Sequence, residues 1–202
     1  MSSRYFHASS VIVHHLSTIF LGISLSDLQN AIGKEGAPGS ARAFAKLTKW
    51  AHKSPELAEQ VVSHAIRTII LLTPGKDNGE GAIRSIDTAP YSLITIFLCH
   101  IVVWAFANVG SHSQKLRLFD TISRNAELKS TSFFSTLQRS FGFEEHGVDQ
   151  SKKIGQDEDQ KNQGPAAPAN LLFRSAAEML IPIGTWGASL NLAQLLYERA
   201  EM

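Results

Sequence analysis

Three histidines near the start of the chain are the first residues whose type and spacing suggest chemistry, namely metal binding. His7 and His14 stand seven residues apart, so they lie on one face of a helix, and His15 follows directly. The two turns between His7 and His14 span about 10 Å, too far for both imidazoles to reach one ion through bonds of about 2 Å. No His-Glu-x-x-His or Cys-x-x-Cys pattern occurs. The sequence therefore predicts no metal ligand and no cofactor in this chain.

The single cysteine, Cys99, is the next candidate, because a potential base, His100, follows it. Adjacent residues on a helix do not face each other, and apolar surroundings raise the pKa of a thiol and leave it unreactive. No Gly-x-Ser-x-Gly sequence occurs, and the neighbouring acids Glu144 and Glu145 lie in a stretch that cannot fix their geometry. We therefore expect no catalytic residue and no enzyme.

Two patterns are compatible with binding to a larger partner. A basic stripe on one predicted helix presents four cations that can contact phosphates, although the outer face of any amphipathic helix looks the same: Arg42, Lys46, Lys49 and Lys53. Residues 192–196 match the short Leu-x-x-Leu-Leu pattern read by apolar grooves. Leu192, Leu195 and Leu196 are equally typical of a helix core, and we expect them there. Residues 75–81 are rich in glycine but lack the Gly-Lys-Ser/Thr of a phosphate loop, so they are predicted to form an ordinary loop.

The elements that must position these residues all have helical spacing, and the alternation typical of strands is absent. The sequence predicts an all-α, multi-helix bundle of about six to eight helices. In the clearest amphipathic segment, Phe44, Leu47 and Ala51 share one face. The predicted helices are 5–23, 27–32, 40–53, 54–73, 90–109, one helix or a pair within 113–141, 171–181 and 187–202.

A stretch of unusual apolar character covers residues 88–114, which contain no Lys, Arg, Asp or Glu. Residues 90–109 are long enough to span a bilayer, so a small membrane-anchored protein is one alternative. His100 at the middle of this stretch and Asn108 near its end favour a helix buried on all sides by other helices. A second alternative is an α-helical enzyme that holds its substrate among His64, His100 and Asn108.

Residues 142–170 differ from the rest in composition. They carry most of their charge as Asp and Glu, end in a Gly-Pro-rich segment and contain almost no apolar anchor. We expect a disordered acidic and Gly-Pro insertion here, with residues 1–141 forming the first part of a helical region and residues 171–202 packing back on it. Asn170 is expected to cap the helix that follows. The core is expected to include Trp50, Trp104, Trp186, Phe97, Phe106 and Leu196.

The overall composition excludes several classes of protein. With 19 basic and 18 acidic residues among 202, the chain has no general attraction to nucleic acid or anionic membranes. A hydrophobic content of 44% is enough for a packed core. One cysteine excludes an intramolecular disulfide and a multi-cysteine zinc site within these 202 residues.

Four blocks of sequence resemble one family. Residues 184–202, from Gly-Thr-Trp-Gly-Ala-Ser to Arg-Ala-Glu-Met, resemble the C-terminal ending of many fungal zinc-finger transcription factors. Residues 4–10 and 51–58, which read Arg-Tyr-Phe-His-Ala-Ser-Ser and Ala-His-Lys-Ser-Pro-Glu-Leu-Ala, resemble two upstream blocks of the same fungal-specific helical regulatory region. Residues 103–107, Val-Trp-Ala-Phe-Ala, resemble a further apolar block. The four blocks occur in the family's order along nearly the whole chain.

This resemblance implies a nuclear regulator of transcription by RNA polymerase II. In that family zinc fingers bind DNA, and the helical region serves regulation and contacts with proteins of the transcription machinery. The chain lacks the zinc-finger cysteines, so it is expected to be a fragment, a truncated gene product or a relative that has lost its DNA-reading part. In each case it corresponds to the regulatory part of the family, and zinc and DNA are expected to be bound only by zinc fingers outside it. The resemblance carries over no site residue.

Overall fold

The fold, described from a computed structural model, consists of helices. The structure describes residues 2–72, 90–124, 131–143, 168–181 and 187–201, with side chains omitted at 2–9, 90–92, 168 and 187–189. The described residues form nine α-helices and one short 3-10 helix, without strands, which confirms the predicted all-α class. In chain order the helices are α1 (Ser2–Gly22), α2 (Leu25–Ala31), α3 (Gly36–Lys53), α4 (Pro55–Leu72), α5 (Pro90–Val109), α6 (His112–Ser123), α7 (Ser132–Ser140), the 3-10 helix (Pro168–Asn170), α8 (Leu171–Leu180) and α9 (Gly187–Ala200).

Helix α3 begins at Gly36, four residues before the start predicted from the glycine-rich sequence. The predicted start at Ser40 was wrong, because Gly36 and Gly39 lie inside the first turns of the helix. The break between α2 and α3 is confined to a short turn in which Gly33 has a φ of 100°. Gly36, the first residue of α3, also has a positive φ, of 70°, and glycine adopts both conformations without strain, so the turn ends at Gly36. The number of helices also exceeds the six to eight expected.

Helix caps account for the boundaries that the sequence predicted well. The Ser24 hydroxyl accepts a hydrogen bond from the Asp27 N–H at the start of α2. Pro55 occupies the first position of α4, where a backbone N–H would have no hydrogen-bond partner within the helix, so its absence in proline costs nothing. Ser111 and Gln114 form a reciprocal capping box at the start of α6. Within the described part of the 113–141 segment there are two helices, α6 and α7.

Helix α5 is the centre of the fold. It packs against α2, α3, α4 and α8. Consecutive residues from Ile101 to Ala107 are buried, so the helix has no solvent face over that stretch. The structure therefore confirms the prediction of a central helix surrounded by other helices.

Three of the six side chains expected in the core are buried: Trp104, Phe106 and Leu196. Trp50 and Phe97 are half-buried at the edge of the core, and Trp186 lies outside the described residues. On α3, Leu47 and Ala51 are buried and Phe44 packs partly buried against the core, which confirms the predicted apolar face.

Helices α1 and α4 approach each other closely where Gly22 meets Val61. A β-carbon at position 22 would overlap the Val61 side chain, so the missing side chain allows this approach. Trp50 of α3 reinforces the junction, because its indole N–H donates to the Gly22 carbonyl at 2.8 Å. The C-terminal end of α1 is thus fixed to both α3 and α4.

The segment that follows the predicted insertion returns to the core. Residues 144–167 lie outside the described residues, but Ala169 in the 3-10 helix is buried. Asn170 precedes α8 without a side-chain capping bond, which corrects the predicted cap, and its Oδ1 instead accepts from the Trp104 indole N–H at 3.3 Å. The ring of Trp104 also lies 4.7 Å from that of Phe173. Helix α8 therefore packs on α5.

Candidate functional site

Three histidines from two helices meet where α1 packs on α4. His14 is exposed, His15 is 8% exposed, and His64 of α4 is half-buried beside them. One ring nitrogen from each lies within 4.8 Å of the other two. The Nδ1 atoms of His15 and His64 are 2.5 Å apart, so one of them must carry the proton that the other accepts. We call His14, His15 and His64 the histidine cluster.

The electrostatics of the cluster favour the neutral form of His15 and of His64. Burial and, to a smaller extent, the nearby His64, His14 and Arg67 together lower the pKa of His15 to about 4. Burial also lowers the pKa of His64, again with contributions from Arg67 and His14. At neutral pH both rings are therefore neutral, the form that can accept a proton or bind a cation. The ring that donates at Nδ1 has its lone pair on Nε2, whereas the Nδ1 lone pair of the other ring accepts the hydrogen bond between them, which a bound cation would replace.

Sequence spacing identified only part of this cluster. His14 and His15 were considered as ligands together with His7, whose side chain lies outside those described. The residue that joins them is His64, 49 positions from His15 along the chain. No local pattern links the two, because the junction of α1 and α4 alone brings them together.

Cys99 and His100 are both buried in α5, and their side chains have different partners. Burial raises the pKa of the Cys99 thiol to about 12, despite a hydrogen bond with Thr68. His100 Nδ1 lies 2.8 Å from the Ile96 carbonyl, and its ring packs edge-on against Phe133. Its Nε2 has no hydrogen-bond partner among the described residues. The geometry matches the expectation of an unreactive thiol.

Stability is expected to fall as the pH drops from about 6.5 to about 4, because burial lowers the pKa of His100 to about 4. In that range the unfolded chain binds more protons than the folded one, so the free energy of unfolding decreases with falling pH. The contribution of His100 is on the order of 3 kcal/mol across the whole range.

This prediction is tested by urea unfolding near pH 7 and near pH 5 in the wild type and in His100→Leu. The histidine cluster contributes in the same direction in both proteins, so the difference between them isolates His100. We expect a shallower pH dependence in the variant. Equal pH dependence in the two proteins would contradict the assignment.

The three polar residues of the enzyme alternative do not all meet. His64 lies in the histidine cluster, whereas His100 contacts Phe133. Asn108 stands eight residues beyond His100 on α5, about 12 Å along the helix axis, and is exposed. Its amide donates to the Trp104 carbonyl at 2.9 Å. His100 and Asn108 thus cannot line one small pocket.

The basic stripe on α3 is exposed, and half of it is paired with acids. Lys46 contacts Asp27 of α2 at 3.0 Å, and Arg42 lies 3.7 Å from Glu35. These contacts reduce the charge available to a phosphate backbone. The stripe therefore has the character of a solvated helix face that also ties α3 to α2.

The Leu-x-x-Leu-Leu motif on α9 is divided between core and surface. Leu196 is buried and Leu192 packs partly buried against the core. Leu195 is 43% exposed, so the expectation that it is a core residue was wrong. Since the three leucines do not form one exposed edge, an apolar groove of a partner protein cannot contact all three in this conformation.

Among the described residues, no single helix is both long and apolar enough to cross a bilayer. Two consecutive segments, Ser10–Gly22 and Leu25–Ala31, are together long and apolar enough to cross a bilayer, but they are bent by 80° relative to each other. The glycine-rich residues 75–81 and the acids of the predicted insertion, including Glu144 and Glu145, lie outside the described residues.

Comparison of the chain with protein-family models, with curated proteins and with solved structures finds no match in any of the three. The functional argument therefore depends on the residues of this chain.

Proposed function

We propose that the chain is the regulatory, non-DNA-reading part of a fungal transcription factor that controls transcription by RNA polymerase II. It acts in the nucleus through contacts with proteins of the transcription machinery, and it is not an enzyme. DNA and zinc are bound by zinc fingers outside these residues. The histidine cluster plays no part in this proposal.

The observation that supports the proposal is where the family-like blocks lie in the fold. Residues 51–58 contain the junction at which α3 ends and α4 begins, with Ala51 and Ala58 buried on either side. Residues 103–107 form the buried middle of α5. The block at 184–202 includes α9 and its core residue Leu196. The described parts of these three blocks thus belong to one set of packed helices, as expected when a resemblance reflects a shared fold.

An apolar surface on α1 supports a role in protein contacts. Leu21 is 90% exposed and Phe20 is 44% exposed at the end of this helix, and Leu57 of α4 is exposed close to Gly22. Large apolar side chains grouped on a surface are typical of sites that bind other proteins. We expect this surface to contribute to partner binding.

A reporter assay tests the proposal directly. The full chain is fused to an unrelated DNA-binding domain in a fungal cell, with a reporter gene placed behind the matching DNA site. We expect the fusion to change reporter transcription relative to the DNA-binding domain alone, and Leu21→Ser to reduce that change. Leu116→Ser on α6, another exposed leucine, is the matched control. A reporter unaffected by a fusion of equal abundance would refute the proposal.

The source of DNA binding is tested separately by sequencing the transcript upstream of the Met1 codon. An in-frame segment with cysteines and histidines at zinc-finger spacing is the expected result. A stop codon directly upstream of Met1 would contradict the proposal that zinc fingers in the same protein supply DNA binding.

A further inference from the structure

We propose that the histidine cluster is a binding site for one divalent transition-metal ion of the zinc type, held by His14, His15 and His64 between α1 and α4. This site is independent of the proposed function and departs from the expectation that the chain binds no metal. That expectation considered ligands along α1 alone, whereas the third ligand comes from α4.

The spacing of the ring nitrogens suits a single ion. Ligands bound tetrahedrally at about 2.0–2.1 Å lie about 3.3 Å from one another. In the cluster the nitrogens lie within 4.8 Å, and the closest pair, the Nδ1 atoms of His15 and His64, is 2.5 Å apart. The observed separations lie on both sides of the tetrahedral value, so small rotations of the rings bring all three into range.

The chemistry of the donors selects the class of ion. Three imidazole nitrogens suit Zn²⁺, Co²⁺, Ni²⁺ and Cu²⁺, whereas Mg²⁺ and Ca²⁺ prefer oxygen ligands. No carboxylate forms an ion pair with the three rings among the residues that the structure describes. Because His14 is exposed, water or another ligand can reach the cluster from solvent and supply a fourth ligand.

The surrounding structure holds the two helices at a fixed distance. Gly22 lies two turns beyond His15 on α1, and Val61 lies one turn before His64 on α4. Their close contact thus sets the separation of the helices near the cluster. The site is therefore largely formed before an ion binds, which lowers the ordering cost of binding.

One nearby group opposes the ion. Arg67 follows His64 by about one turn on α4, and its positive charge acts on both His64 and His15. Its side chain is exposed, so solvent screens much of this repulsion. The remaining repulsion still weakens binding, so Arg67→Gln is expected to raise the affinity for the metal ion. Every variant that removes a ligand is expected to lower that affinity.

Titration of the full, metal-stripped chain with Zn²⁺ by calorimetry tests the proposal, with Co²⁺ absorption reporting tetrahedral coordination. We expect one ion per chain, no binding of Mg²⁺, and at least about tenfold weaker binding in His14→Gln and His64→Ala. His52→Gln, which changes an exposed histidine of α3, is the matched control and should bind like the wild type. At a zinc concentration one hundred times the dissociation constant, the folding equilibrium constant should rise about 100-fold.

The exposed position of His14 keeps the test valid if His64→Ala fails to fold, because His14→Gln removes a ligand without disturbing the core. Two results would overturn the proposal. The first is failure of Zn²⁺ to saturate the chain at one ion. The second is equal affinity in the wild type and in the folded ligand variants.

Discussion

Trp104→Ala is expected to lower the free energy of unfolding by about 3–5 kcal/mol. Trp104 is 7% exposed and connects three helices through its ring. The ring lies 5.5 Å from that of Phe44 on α3 and 4.7 Å from that of Phe173 on α8, while Trp104 itself belongs to α5. Truncation removes both aromatic contacts and leaves a cavity that rigid neighbouring helices cannot close.

Urea unfolding followed by circular dichroism measures this effect. Leu195→Ala, a substitution of similar chemistry at an exposed position of α9, should change the free energy of unfolding by less than about 0.5 kcal/mol. Trp104→Phe retains a ring between Phe44 and Phe173 and is expected to fall between the two. A loss below about 1 kcal/mol in Trp104→Ala would show that the three helices do not depend on this ring.

Gln114→Met is expected to cost about 1–3 kcal/mol, although it preserves most of the side-chain volume. Gln114 is 4% exposed, and its amide Nε2 donates to the Ala51 carbonyl at 2.7 Å. That carbonyl belongs to the last turn of α3, where carbonyl groups have no N–H donor within the helix. The Gln114 Oε1 also accepts from the Ser111 N–H at 2.8 Å. The variant leaves a buried acceptor and a donor without these partners.

The same unfolding measurement on Ser111→Ala separates the two roles of Gln114. Loss of the Ser111 cap alone is expected to cost about 1 kcal/mol. In the double variant the two losses should not add fully, because both residues belong to one capping box. Full additivity would mean that the contact between Gln114 and Ala51 acts independently of the cap.

The sequence predicted the local features of the fold with good accuracy. Pro55 at a helix start and the buried character of α5 follow from backbone chemistry and hydrophobic pattern, which act over a few residues. The start of α3 was misplaced because Gly36 and Gly39 are read locally as loop residues. Packing against the rest of the bundle, with Gly39 buried, outweighs their low helix propensity.

The distinction between core and surface was only partly accessible from sequence. Leu196 was correctly placed in the core, whereas its neighbour Leu195 is exposed. Both leucines have the same local pattern, and the direction from which α8 covers α9 decides between them. Asn170 likewise follows a capping pattern, but the proximity of Trp104 redirects its side chain.

By itself the sequence determined that this chain is all-α, that residues 90–109 form its most apolar helix, and that Cys99 lies in apolar surroundings. These properties depend on composition and on spacing within single helices. Only the tertiary structure decided that His64 joins His14 and His15. A contact between residues 49 positions apart depends on how α1 crosses α4, and that crossing is set by side-chain packing at Gly22 and Val61 rather than by any local pattern.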